Sequence, residues 1–153
     1  MVEPIRLVIF GNPVSQKNQK RIVKTKDGRP FIVSSKKVLA WKKEAQSQIA
    51  EQWGDREAID SGIELAINVQ SYLGPRQKID TDNLAAAPLD ILEKSGVISN
   101  DYWVRRVVSE RHRDVDNPRV EITLTSYLDE RAKVGSTHEV QADHIIPPGT
   151  KLQ

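Results

Sequence analysis

The chain has 153 residues, 38% apolar and 29% charged, which fits one globular domain with a core of its own; its lack of cysteine excludes disulfides, thiolate metal sites and cysteine nucleophiles. No apolar run reaches membrane-spanning length and the first ten residues lack the hydrophobic segment of a signal peptide, so an intracellular, cytoplasmic protein is expected. The net charge of +2 conceals an asymmetry: residues 11–43 hold ten lysines and arginines against Asp27 alone, a net +9, and the remainder sums to −7. A basic third beside a carboxylate-rich middle suits a protein that grips a polyanion by its backbone.

In chain order, Ile5 to Phe10 reads as a first strand closed by Gly11-Asn12-Pro13. Two β-prone runs, Arg21 to Thr25 and Pro30 to Val33, flank Asp27-Gly28, a turn pair that predicts a projecting basic hairpin. Ser35 then caps a helix running through Trp53, with Val38, Trp41 or Lys42, Ala45, Ile49 and Trp53 as its inward positions and Gly54 as its stop. Its lysines gather near the start, towards the hairpin.

From Ile63 to Leu73 strict alternation places Ile63, Leu65, Ile67, Val69 and Leu73 on one face and Glu64, Asn68 and Gln70 on the other, as in a half-buried strand. Gly74-Pro75 interrupts it. A helix is expected from Asn83 to Ser95, with Pro88 forcing either a kink or a late start, and Gly96 ending it. Val104 to Arg111 and Arg119 to Tyr127 read as two strands of a hairpin joined by Asp114 to Pro118. The domain is expected to occupy residues 1–128, with an extended or docked tail over 129–153. The fold class is α+β: a small mixed sheet with two helices packed on it.

Asp80-Thr81-Asp82-Asn83 is the stretch most suited to chemistry. Two carboxylates two residues apart at the end of an extended run point the same way and repel, an arrangement that a hard divalent cation between them would stabilise. With no thiolates available, oxygen ligands favour Mg2+, with Mn2+ as a substitute. Asp101 falls one helix length later, where the chain would return to the pair and complete a metal site with open positions. The bland reading is that Asp80 begins a turn, Asp82 or Asn83 caps a helix and Asp101 sits in a second turn.

These residues together resemble the RusA-type Holliday junction resolvases, small endonucleases of phages and prophages. The likeness runs from Ile5 to Tyr127 and is most specific from Arg76 through Asp82-Asn83-Leu84, at Leu89-Asp90-Ile91-Leu92, at Gly96 and at Asn100-Asp101; Pro13-Val14-Ser15 and Ser35 to Trp41 agree more weakly. The resemblance implies a homodimeric, magnesium-dependent endodeoxyribonuclease that nicks two opposed strands of a four-way DNA junction, in recombination and repair on the nucleoid. It places the catalytic metal ligands on Asp80, Asp82 and Asp101. Asn83 then stands as an outer residue that orients a ligand or as a helix cap, Asp90 as an outer residue or a surface acid, and Lys17, Lys20, Arg21, Lys24, Arg76 and Lys78 as the cations on DNA. The family usually carries a lysine three residues after the Asn83 position, where this chain has Ala86. Lys78 or Lys94 would have to replace it; otherwise the protein is an impaired nuclease or a junction binder without chemistry, or the carboxylates form a structural cation site in an interaction module.

Several other features carry less. Asp143-His144 opens an HNH-like motif whose second half is missing before Gln153; His112 and His138 have no partner at ligand spacing; Trp41 and Trp53 suit the core better than base stacking.

Overall fold

The computed structural model describes residues 3–15, 20–129 and 131. The predicted tail, with Asp143, His144 and His138, falls almost wholly outside that range, as does Lys17. The described chain forms β1 (Ile5–Phe10), β2 (Lys20–Lys24), β3 (Pro30–Ser34), α1 (Lys36–Trp53), β4 (Leu65–Leu73), α2 (Ala86–Lys94), β5 (Val104–Arg113) and β6 (Arg119–Ser126).

One mixed sheet has the order β1-β6-β4-β5, in which β4 pairs parallel with β5 and antiparallel with β6, and β6 pairs antiparallel with β1. Leu7, Ile9, Ile67, Val69, Val120, Ile122 and Leu124 point from it into the core, where they meet Val38, Trp41, Ala45 and Ile49 of α1 and Ile91 and Leu92 of α2. Each fully buried aliphatic side chain here contributes about 1.5–3 kcal/mol. The opposite face carries Asn68, Gln70, Thr123 and Glu121 and bears a hollow of ≈470 Å³. On that side His112 stacks on Tyr72 at 4.7 Å and Arg119 lies over the same ring at 3.8 Å, so His112 is a strand residue with ring and amide neighbours.

The expected hairpin of β5 and β6 is corrected by this topology. β4 lies between them, and the connection crosses its end, where the Asp114 amide donates to the Leu73 carbonyl at 3.0 Å. Alternation reports which face of a strand is buried, not which strand lies beside it. β4 shows its central place by pairing on both edges and by the burial of Ala66 on the face opposite Leu65, Ile67 and Val69.

Helix α1 starts and stops where its residues dictate. The Ser35 hydroxyl accepts from the Val38 amide, and Gly54 takes the left-handed conformation at φ 67°. Its side chains also shield an edge: Gln52 accepts from the Val8 amide (2.9 Å) and donates to the Val8 carbonyl (2.7 Å), and Gln48 does the same at Phe10 (2.7 and 3.1 Å). The outer backbone groups of β1 are thereby satisfied instead of offering a template for another strand. β2 and β3 form a separate two-stranded hairpin, as Asp27-Gly28 predicts, with Gly28 at φ 80°.

The helix predicted from Asn83 is divided. A 3-10 turn, Thr81–Leu84, precedes α2, which begins only at Ala86, so Pro88 occupies its first turn, where no amide donor is required. Of the two outcomes foreseen for Pro88, the late start is the one adopted.

Candidate metal and nucleic-acid site

Strand β5 carries Ser109, Arg111 and Arg113 at alternate positions, hence on one face, and each holds a backbone carbonyl of the segment leaving β4. Arg113 donates to Gly74 and, at 2.6 Å, to Gln77; Arg111 donates to Ile79 at 3.1 Å; the Ser109 hydroxyl donates to Thr81 at 2.8 Å. The segment Gly74 to Thr81 is thus a strap laid antiparallel along β5. Gln77 fastens its start, accepting from the Gly74 amide and donating to the Pro13 carbonyl, both at 2.8 Å. Arg76 sits on the strap at φ 64°, exposed, its left-handed backbone set by the tight turn.

Asp80 and Asp82 sit where the strap becomes the 3-10 turn. The Asp80 carbonyl accepts from the Asn83 amide at 3.0 Å, but its carboxylate makes no capping bond. Asn83 lies inside that turn, 8% exposed, and so caps no helix. Asp101 opens a second 3-10 turn, Asp101–Trp103, leading into β5; there the capping is done by Asn100, whose side chain accepts from the Tyr102 amide at 2.8 Å. Local structure therefore consumes none of the three carboxylates. All three are exposed, and among the described residues none is in an ion pair.

They do not form a finished metal site. Among the described residues no three His, Asp or Glu side chains are grouped to hold one ion, so the convergence foreseen for Asp80, Asp82 and Asp101 is absent from the chain as folded here. The strap fixes Thr81 beside Ser109, and Asp101 stands on a separate 3-10 turn at the entry to β5.

Asp90 points elsewhere. Its Oδ2 lies 2.9 Å from the Lys42 ammonium and 3.0 Å from that of Lys94, pinning α1 to α2. Burial alone would raise its carboxyl pKa, but the two ammonium groups outweigh that and hold it below the ordinary 3.8. Lys42 is therefore turned to α2, not to the hairpin, and Lys94 already has a partner. Ala86, at the first position of α2, is exposed.

Of the predicted DNA cations, Lys20 and Arg21 lie on β2, and Lys24 and Lys78 are exposed. Lys78 and Asp80 line a cleft of ≈220 Å³ together with Ser15 and Lys37. Lys37 was not singled out from the sequence, and Ser15 entered only as part of a weak likeness. The signal for the strap was present but unread: a strand with serine and arginine at alternate inward positions is covered by backbone, not by apolar side chains.

The family model described as Endodeoxyribonuclease RusA matches residues 11–125. A crossover junction endodeoxyribonuclease RusA of Aquifex aeolicus (strain VF5) is 35% identical over 107 residues, covering 69% of this chain and 79% of the relative. The matched span takes in the hairpin, α1, the strap, both 3-10 turns and nearly all of β6. On that extent of agreement, the chain belongs to the RusA family of endodeoxyribonucleases.

Proposed function

We propose that this chain resolves four-way DNA junctions by paired, symmetric hydrolysis of phosphodiesters, acting as a homodimer with Mg2+, for which Mn2+ substitutes. Family membership supports the reaction class, and one observation supports the assignment of the centre: Asp80 and Asp82 stand exposed, without capping bonds and, among the described residues, without ion pairs, at a turn strapped to β5 beside a cleft lined by lysines.

The donor set suits a hard cation. Carboxylate oxygens free of capping bonds and of ammonium partners are available as ligands, and mutual repulsion keeps such groups apart until a cation draws them together. Asp80, Asp82 and Asp101 would hold the ion, and Asp101 would have to approach from its own 3-10 turn. Bound there, Mg2+ would supply Lewis acidity for hydrolysis at the phosphate. The protein's own residues do the rest. Ser109, Arg111 and Arg113 keep the acids in register with β5, while Lys78, Arg76, Lys24, Lys20 and Arg21 attract and position the DNA backbone. Lys17 belongs to the same basic segment. Family resemblance supports association of two copies, which would set two acidic centres against one junction.

A second reading is a junction binder with weakened chemistry. Ala86 favours it: α2 provides no lysine at its start, and Lys94 is engaged by Asp90, which leaves Lys78 of the two foreseen substitutes. A labelled four-way junction separates the two. The nuclease nicks it in magnesium and stops in EDTA; the binder shifts its mobility in both and nicks it in neither.

A further inference from the structure

We propose that the cleft between the start of α1 and the strap seats one non-scissile phosphate of the DNA backbone, beside the cleavage centre and not within it; this rests on the nuclease reading above. The cleft measures ≈220 Å³ and is walled by two loops that Gln77 ties together at Gly74 and Pro13. It is therefore formed before any ligand arrives. Gln77 has both ends of its amide occupied and is a brace, not a ligand.

Three features call for an anion. Ser15 is only 6% exposed, lines the cleft, and has a buried hydroxyl without a hydrogen-bond partner among the described residues. An unmet buried hydroxyl is costly, and a phosphate oxygen accepting its hydrogen bond would recover that cost. Lys37 and Lys78 flank it with two positive charges. Helix α1 opens on Lys36 and Lys37 with no acid in its first turn, although the partial positive charge of a helix N-terminus is stabilised by acids there. Cations stacked on a positive helix end repel one another until an external anion relieves them. Asp80, which also lines the cleft, repels a phosphate and so directs it towards Ser15 and Lys37.

The seat takes a single phosphodiester, with Ser15 donating one hydrogen bond and the lysines supplying charge. Because the contact is to phosphate, it positions the strand without reading its sequence.

The test is affinity in magnesium-free buffer for four-way junctions carrying one neutral methylphosphonate linkage, moved stepwise along the cut strand. For the unaltered protein, one linkage flanking the cut should weaken binding about tenfold, the loss of one charge-assisted contact. Ser15→Ala and Lys37→Gln should each weaken the unmodified junction and lose most of the sensitivity at that linkage only, while Lys37→Arg keeps both. Lys37 is exposed, so its variants fold even if Ser15→Ala does not. Unchanged affinity for the unmodified junction in Lys37→Gln, or sensitivity retained at every linkage, overturns the seat. If the unaltered protein binds junctions but never nicks them in magnesium, the nuclease reading falls while the linkage pattern still decides the seat.

Discussion

The Ser109 hydroxyl on β5 donates to the Thr81 carbonyl at 2.8 Å, between the two aspartates assigned to the metal. That bond couples the placement of both carboxylates to an edge strand of the sheet. Ser109→Ala removes it and should cost about 1 kcal/mol of stability. Nicking should fall further than junction affinity, because positioning is lost while the cations remain. Thermal unfolding beside single-turnover nicking checks both.

Gly74 is the other end of the strap. A Cβ there would collide with the side-chain oxygen of Asn12 and lie 3.2 Å from the Pro118 ring. Asn12 is exposed and its side-chain end can swing aside, so Gly74→Ala should cost at most about 1 kcal/mol, set by how far Pro118 gives and read as a slightly lower midpoint in urea.

The Asp90 bridge between the helices sets a pH dependence. Its folded-state pKa lies below the ordinary 3.8, so the stability it contributes is fully present above that value and lost as pH falls through the lower folded value. Asp90→Asn should cost about 1 kcal/mol near neutrality, discounted for the partial exposure of the pair, and the difference from the unaltered protein should vanish under acid. Urea unfolding from pH 7 to pH 3 measures it.

Ala86 tests the departure from the family pattern. The position is exposed at the start of α2, so a lysine is accommodated with at most about 1 kcal/mol lost to the helix dipole. Ala86→Lys should raise the nicking rate with little change in junction affinity. An unchanged rate would show that this position takes no part in the chemistry here.

The extents of α1 and β4 were legible because each is marked twice, by periodicity and by a cap or breaker: Ser35 and Gly54 for the helix, Gly74 for the strand. The basic hairpin was legible from Asp27-Gly28. The order of strands was not, since pairing depends on which long connection crosses the sheet, and nothing in the alternation of Val104 to Arg113 distinguishes β4 from β6 as its neighbour. The acids of the site were legible as residue types at a telling spacing. Their relative placement was not, because it is set by side chain to backbone bonds from Ser109, Arg111 and Arg113, which leave no hydrophobic period to read.

The central claim is that Asp80, Asp82 and Asp101 act together on one ion although the folded chain alone does not bring them to one point. Asn substitutions at each, assayed on a labelled four-way junction in magnesium, address it directly. All three variants should bind the junction at least as well as the unaltered protein, since each loses a charge that repels phosphate, and none should nick it. An Asp101→Asn protein that nicks at the unaltered rate, or an Asp82→Asn protein that loses binding together with cleavage, would contradict it.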